Sequence, residues 1–276
     1  MNPHSRPGMI VLTGRIERSF GLTHATVIGG EVASSMATGP WLAGPMGRAG
    51  GGALGVLVDD VLGFAIVTDR PAGMWSVSAE ISLDLYGPVP VDGTRLEAKG
   101  RPTYAGPHGG SASGSVRDAG GRLVAECRQH GRWVTTGPEH GSGPVEPPAA
   151  GRPDPVDLSA LLGAKVHPTE GGAVLDLAVT ADVVNPLGNL HGGVTLAACD
   201  LVAQTALAAA GGPAETASVH VSYPRPIPLG ATPRFEGRIA HRGKGLGVVT
   251  ITATIDGVKP VAIATVTTGR PAPLAG

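Results

Sequence analysis

The sequence predicts an α+β protein made of two tandem copies of one unit, each an antiparallel sheet wrapped around a long central helix. Three observations lead to this prediction. A stretch rich in glycine and proline divides the 276 residues into similar halves, the same landmarks recur in both halves, and each half joins one long apolar segment to alternating runs. Two such sheets can pair edge to edge, which would give the single chain the symmetry of a dimer.

The repeat is clearest in two segments that begin with paired glycines. GGALGVLVDDVLGFAIVT starts at Gly51 and GGVTLAACDLVAQTALAAA starts at Gly192. Each segment places an aspartate eight positions after its first glycine, Asp59 in one and Asp200 in the other. Further along, LYGPVPVDG in the first half matches SYPRPIPLG in the second, and LEAKGR matches FEGR. Landmarks in a fixed order predict two copies of one structural unit.

A linker separates the two copies. Residues 137–155 read GPEHGSGPVEPPAAGRPDP and lack any apolar periodicity, which is typical of a connecting segment. We therefore place an N-terminal unit at 9–136, with a degenerate version of the motif described below, and a C-terminal unit with the intact motif at 156–270.

Each unit is predicted to contain a buried helix and several strands. The segments that begin with paired glycines are apolar nearly all round, as expected of a helix that is covered on every side. Gly211-Gly212 marks the end of the second helix. Alternating runs in the second half are typical of antiparallel strands, and they fall at 173–181, 218–223, 232–240, 247–255 and 261–267.

Composition and charge narrow the function classes. Hydrophobic residues make up 42% and charged residues 16%, which excludes a disordered chain. The net charge is −1 and no basic block occurs, so nucleic acid is not an expected partner. Met1–Arg18 contains no apolar run of signal-peptide length, and no segment reaches the ~20 apolar residues of a membrane span. We expect a cytoplasmic protein that does not bind membranes.

The two cysteines predict neither a disulfide nor a metal site. Cys127 and Cys199 lie far apart, in apolar surroundings and outside any CxxC pattern. We expect no metal.

The most informative stretch precedes the second helix. It reads NPLGNLHGG from Asn185 to Gly193 and is followed by Asp200. This pattern resembles that of the PaaI-type and 4-hydroxybenzoyl-CoA-type hotdog thioesterases, N-x-x-G-x-x-H-G-G followed by an acidic residue on the central helix. The resemblance covers most of 156–270, and the first half matches only in outline. It implies a tandem double-hotdog fold, hydrolysis of acyl-CoA thioesters, and a Ser or Thr role at Ser218.

Elementary chemistry assigns roles to these residues. The N–H of Gly192 at a helix start is an unpaired donor, aided by the helix dipole and unobstructed by a side chain, and suits an oxyanion. Asp200 would be the general base for water, or the nucleophile. Ser218 could position the water, while Asn185 and His191 would orient the loop and the thioester. Each residue also has a structural interpretation. For example, His191 could cap the helix, and Gln204 could satisfy Asp200.

Eight residues along a helix span ~12 Å, so Gly192 and Asp200 cannot easily meet on one carbonyl. Each needs a partner from the other half, which predicts two unlike sites. One joins Asn185, His191 and Gly192 to Asp59 and to a serine, Ser76 or Ser78, with Asp60 as a competing carboxylate. The other joins Asp200 and Ser218 to Gly50 and Gly51. Gly44 and Gly50 stand where the motif has Asn and His, so we expect the Asp59 site to be the more active.

Basic residues predict where CoA phosphates bind. His241, Arg242 and Lys244 lie between two strands and resemble the basic loop of the family, and Arg225 and Arg238 could add to it. We also assign Gly193 to substrate binding. The alternative is a solvated hairpin loop.

Two other function classes stay open at this point. A hotdog enoyl-CoA hydratase or dehydratase would use a His with an acidic residue, and a non-catalytic protein would only bind acyl-CoA. In every case the expected partner is a small-molecule acyl-CoA, which is a substrate or ligand and not a resident cofactor. Further association of the double unit is common in this family, although the sequence itself does not show it, nor does it show the acyl preference.

Overall fold

A computed structural model describes residues 9–11, 14–135 and 155–269 of the chain. The linker predicted at 137–155 lies outside the described residues except for Pro155, and so do residues 136 and 270 at the predicted unit boundaries. The described part contains one thirteen-stranded sheet, in which every pairing is antiparallel, and four α-helices.

The elements follow one another in two similar series. The first series is β1 Met9–Val11, α1 Arg15–Ser19, β2 Ala25–Ile28, β3 Glu31–Ala37, α2 Gly55–Val67, β4 Met74–Leu85, β5 Arg95–Gly106, β6 Gly109–Asp118 and β7 Leu123–Thr135. The second series is α3 Leu158–Leu162, β8 Ala164–Thr169, β9 Gly172–Leu177, α4 Gly192–Ala209, β10 Glu215–Ser222, β11 Arg234–Arg242, β12 Leu246–Ile255 and β13 Lys259–Gly269. The five strands predicted for the second half are therefore present.

The sheet order repeats about its centre. Strands run β1-β2-β3-β5-β6-β7-β4 and then β10-β13-β12-β11-β9-β8, so the first half reads outward from β4 as the second half reads outward from β10. β4 and β10 pair directly, with Ser82 opposite His220 near the middle of the contact. The sheet is therefore continuous across the two halves.

The two long helices pack on the sheet and on each other. α2 contacts strands β3 to β7, α4 contacts strands β8 to β13, and the helices touch where they cross. At the crossing a Cβ on Gly193 would collide with the backbone of Gly55, and a Cβ on Gly55 would collide with the Gly193 carbonyl. Two glycines thus allow the start of α4 to lie directly against α2, which brings the two halves together at one point.

The helix starts differ between the halves. α4 begins at Gly192, whereas in the first half a 3-10 turn, Gly51–Leu54, precedes α2. The first-half start has three glycines and no side-chain cap, and glycine is a poor helix former. The α-helix therefore begins at Gly55, later than the pattern predicts.

α4 is a core helix. It is the one helix in the described part that is long and apolar enough to span a membrane, but 83% of its 18-residue stretch is buried inside the protein. It ends at Ala209, just before the predicted stop at Gly211-Gly212; the φ of Gly211, +69°, favours glycine, and Gly212 N–H donates to the Leu207 carbonyl at 2.9 Å.

Candidate active site

Asp59 on α2 faces the start of α4 from the other half of the chain. Its Oδ2 accepts the Gly193 N–H at 2.9 Å and lies 3.0 Å from His191 Nδ1. Its Oδ1 accepts hydrogen bonds from Ser78 Oγ at 2.8 Å and from Gln129 Nε2 at 3.1 Å. Gln129 also donates to Ser78 Oγ at 2.9 Å. One carboxylate thus gathers groups from α2, α4, β4 and β7.

His191 and Asp59 form a buried ion pair. Burial lowers the pKa of His191, but the charge of Asp59, its hydrogen bond and more distant acids outweigh this and raise it to about 9. Burial raises the pKa of Asp59, yet the charge of His191 and several hydrogen bonds produce a net lowering. Both shifts favour the charged pair. The Gly193 N–H also points at His191 Nδ1, 3.1 Å away, so the neutral ring caps α4 through this nitrogen, whereas the charged ring donates from it to Asp59.

Two further acidic residues, Glu17 and Asp60, lie on the other side of His191. Glu17 Oε1 is 3.7 Å from His191 Nε2, and Asp60 completes a group of three whose ligand-type atoms lie within 4.8 Å of one another. Burial and the charge of Glu17 raise the pKa of Asp60 well above its usual range. The raised pKa of Asp60 favours its protonated form beside Glu17. Asp59, and not Asp60, bonds to the start of α4.

Gly192 offers an unpaired donor beside Asp59. No acceptor among the described residues meets its N–H, whereas the next N–H, that of Gly193, donates to Asp59. Tyr223 donates its hydroxyl to the Gly192 carbonyl at 2.9 Å and so fixes the peptide. A Cβ on Gly192 would lie 2.7 Å from Asp59 Oδ2, so only glycine fits beside the carboxylate. Gly192 is half-buried and Asp59 is about one-tenth exposed, which leaves both within reach of a ligand.

The structure places Gly193 differently from its predicted role in substrate binding. It is buried at the helix crossing, against Gly55, and its N–H is used by Asp59. Gly193 therefore sets the helix contact and cannot line a CoA site.

Asp200 has the corresponding position in the second half. Its Oδ2 accepts the Gly52 N–H at 2.8 Å and Gln204 Nε2 at 2.7 Å, and its Oδ1 accepts Thr216 Oγ1 at 2.6 Å. The residue is fully buried, and burial raises the pKa of Asp200 in spite of these three donors. Gly52, the counterpart of Gly193, makes the bond that we expected near Gly50 and Gly51. Gly51 itself is buried under Leu85.

Gln204 closes this second site. A Cβ on Gly50, which stands where the other half has His191, would collide with Gln204 Nε2 and with Asp200 Oδ2. The Gln204 amide therefore occupies the space of the missing histidine and makes its hydrogen bond. In the first half the matching position on α2 is Gly63, where an added Cβ would meet only Gln129 Nε2, at 3.8 Å.

The strand residues at the two carboxylates differ in part from the prediction. Ser78 bonds to Asp59, whereas the Ser76 hydroxyl is buried beside Gly131 and meets no hydrogen-bond partner among the described residues. Thr216, and not Ser218, bonds to Asp200. The strand β10 contains an irregularity between Thr216 and Ser218, which shifts the inward-facing position.

Gln129 is a site residue that sequence reasoning missed. Its position on β7 faces inward, between the inward-facing Cys127 and Gly131, and it is 1% exposed. A polar residue at a buried position of an alternating strand is the signal that could have identified it. Its Oε1 is buried without a hydrogen-bond partner in the described part of the chain, so it is an open hydrogen-bond acceptor beside the carboxylate.

Asn185 shapes the loop that leads to His191. Its Oδ1 accepts the N–H of Leu187 at 3.0 Å and of Asn189 at 3.2 Å. This side chain contacts the loop backbone and not the Asp59 carboxylate, so it orients the loop as expected and acts on the site only through it.

Three of the basic residues predicted to bind CoA, His241, Arg242 and Lys244, lie away from the Asp59 site. Arg242 donates to the Ala210 carbonyl at the end of α4, and with Lys244 it lines a cleft of about 450 Å³ next to 211–213. The 18 residues of α4 span ~27 Å, and His191 is at the opposite end. His241 precedes Arg242 on the same strand end and is exposed. Arg225 donates to the Pro260 carbonyl at 2.7 Å and follows Tyr223, so it lies on the Asp59 side.

The fold and this site define a protein that resembles the hotdog-fold thioesterases. The model of the Thioesterase superfamily matches residues 187–262, which run from the loop before α4 into β13. No curated protein matches the sequence significantly.

Solved structures share the fold over most of the chain. The TesB protein of Mycobacterium avium subspecies paratuberculosis is similar with a TM-score of 0.62 and 12% identity, over 93% of this chain and 98% of that one. An acyl-ACP thioesterase from Bacteroides thetaiotaomicron gives 0.57 and 13%, over 86% and 97%. A 12:0-ACP thioesterase from Umbellularia californica gives 0.57 and 12%, over 87% and 94%. At these identities the similarity shows a common fold.

Proposed function

We propose that the protein hydrolyses acyl-CoA thioesters to a free acid and CoA at the Asp59 site, between two hotdog units that form a pseudo-dimer. The observation that carries this proposal is the position of Asp59, held by Ser78 and Gln129, beside the unpaired N–H of Gly192. A base and an oxyanion donor are thereby supplied by opposite halves. The repeated strand order on either side of β4 and β10 supports the double-unit interpretation.

The reaction follows from this geometry. Gly192 N–H, at the positive end of α4, polarises the thioester carbonyl. A water held by Ser78 and Gln129 attacks the carbonyl carbon while Asp59 takes its proton, and the carbon–sulfur bond then breaks. The thiolate leaves and regains a proton from Asp59, so the products are a carboxylic acid and a thiol. Gln129 Oε1, which has no partner in the described residues, is available to orient the water.

A nucleophilic role for Asp59 uses the same residues. The carboxylate would then attack the carbonyl carbon, expel the thiolate and form an anhydride, which water would hydrolyse. Four protein donors already meet the two Asp59 oxygens and lower their nucleophilicity and their basicity alike, so the two routes differ in the anhydride intermediate and not in the residues they use.

Hydratase or dehydratase chemistry is a second candidate because Asp59 and His191 form an Asp–His pair across the halves. In such an enzyme an imidazole nitrogen must face the substrate. Here Nδ1 faces Asp59, Nε2 faces Glu17, and the ring is 5% exposed. The imidazole therefore stabilises the Asp59 carboxylate and does not face a substrate, which favours hydrolysis over hydration.

Release of free thiol from a panel of acyl-CoAs tests the proposal. Short, medium, long and aromatic esters are compared, with acyl-ACP alongside because acyl-ACP thioesterases share the fold. We expect thiol release from at least one CoA ester, a loss of ~10²- to 10⁴-fold for Asp59→Asn, and a much smaller loss for Asp200→Asn. Equal losses would contradict the assignment to one site. Hydration of an enoyl-CoA without thiol release would support the second candidate, and binding without either reaction would indicate a carrier.

A further inference from the structure

Helix α1 brings a glutamate from the N-terminal half to the far side of His191. Glu17 is 6% exposed, and its Oε1 lies 3.7 Å from His191 Nε2. Neither the motif nor the proposed reaction uses this residue. A carboxylate that is buried this deeply is costly unless a counter-charge lies close to it, and His191 is the cation at hand.

The position of α1 is fixed from two sides. Ile16 and Phe20 are buried in the core, and Arg15 forms an ion pair with Asp182 at 3.2 Å, in the segment that leads to the His191 loop. Glu17 therefore presents its side chain to His191 from a defined element and not from a loose terminus.

The ionisable groups around His191 come from three elements. α1 contributes Glu17, α2 contributes Asp59 and Asp60, and the segment after β10 contributes Tyr223, whose hydroxyl is held by the Gly192 carbonyl. Among the described residues, the imidazole thus has Asp59 at Nδ1 and Glu17 at Nε2, and Asp59 is the carboxylate that also lies beside Gly192.

We infer that Glu17 is a positioning residue of the proposed thioesterase site, which keeps His191 doubly protonated so that His191 in turn keeps Asp59 ionised and aimed at the water. This inference rests on the proposed function for its effect on turnover. Its structural part does not depend on the function: the negative charge of Glu17 stabilises the protonated form of His191. Removal of the Glu17 charge leaves Asp59 alone to oppose the burial of the imidazolium, so the ring loses its second proton at lower pH.

The test is an NMR titration of ¹⁵N-labelled histidine side chains in the full-length protein, with His191→Gln used to identify the His191 signal. We expect a midpoint near pH 9 in the unmodified protein and a downward shift of roughly one pH unit or more in Glu17→Gln. Glu97→Gln is the matched control, because Glu97 is an exposed partner of Lys99 and should leave the midpoint unchanged.

Turnover is measured on the same proteins. Glu17→Gln should lower kcat more than it raises KM, with a greater loss at pH 8 to 9 than at pH 6, whereas a purely structural role predicts the same loss at every pH. An unchanged midpoint in Glu17→Gln would overturn the inference. If that variant does not fold, Glu17→Asp retains the charge at a shorter reach and should give a smaller shift. A midpoint at or below pH 6.5 for His191 in the unmodified protein would overturn this inference and leave the proposed thioesterase function standing. Because the titration needs no substrate, it gives its answer even if no acyl-CoA is hydrolysed.

Discussion

Asp59 and Asp200 are the same residue type at matching positions, yet their neighbours give them different properties. Asp59 pairs with a cation and is about one-tenth exposed, while Asp200 is fully buried and meets three neutral donors. Consequently the pKa of Asp59 is lowered, and burial raises that of Asp200. The first carboxylate is ionised and within reach of a ligand, whereas the second is held in a structural network.

Gln129 gives a direct test of the water-binding arrangement. Gln129→Leu removes a hydrogen bond to a charged carboxylate, which is worth about 1.5–3 kcal/mol, so kcat should fall by roughly 10- to 100-fold with little change in KM. Steady-state thiol release measures both constants. Ser218→Ala is the control, because Thr216 and not Ser218 contacts the second carboxylate, and it should keep full turnover. Equal rates for Gln129→Leu and the unmodified protein would exclude a role for the amide.

The ion pair also predicts how stability depends on pH. The folded pKa of His191, about 9, lies above its unfolded value of 6.5, so its stabilising contribution is complete below pH 6.5 and disappears as pH rises through 9. The free energy of unfolding in urea should therefore decrease between pH 6.5 and 9.5. In His191→Gln this part of the decrease should be absent. A parallel decrease in both proteins would show that His191 is neutral when folded.

At the scale of elements, the helix crossing depends on small residues. Gly193→Ala should destabilise the protein by about 1–3 kcal/mol, because its Cβ would collide with the Gly55 backbone. Gly63→Ala is the matched control within a helix. Its Cβ has room, so it should stabilise the protein by about 0.5–1 kcal/mol through the lower chain entropy of alanine. Thermal and urea unfolding give the change in unfolding free energy for both variants. Changes of the same sign would contradict the described crossing.

The sequence predicted these elements better than it predicted the contacts between them. Local patterns were enough to predict the motif before α4, the stop signal at Gly211 that follows α4, and the strands of the second half. Thr216 was missed because a register irregularity in β10, which no local pattern shows, selects the inward position. Gln129 and Glu17 were missed because their partners lie on other elements, far away in sequence. The role of Gln204 required the shape of the space beside Gly50.

At the scale of the whole molecule, duplication provides two similar frameworks around two unlike carboxylates. The framework recurs as the same strand order around one long helix in each half, joined through β4 and β10. The second half supplies His191 and Gly192 to the carboxylate of the first, while the reverse contribution consists of glycines around a closed carboxylate. A histidine in one half and a glutamine in the other fill corresponding positions, and the carboxylate beside the glutamine is fully buried whereas the one beside the histidine is about one-tenth exposed.

This asymmetry predicts the number of ligand sites. Asp59→Asn, which binds without rapid hydrolysis, should take up one acyl-CoA per chain in calorimetric titration with the ester that the panel shows to be turned over fastest. Gln204 fills the second position and leaves no space there for a thioester. Lys244→Glu in the same background should keep both the stoichiometry and the affinity, because the Arg242–Lys244 loop lies at the far end of α4 from His191. Two equivalent sites per chain would show that Gln204 moves away from Asp200 when a ligand binds. Weaker binding by Lys244→Glu would show that the loop with Arg242 and Lys244 does contact CoA.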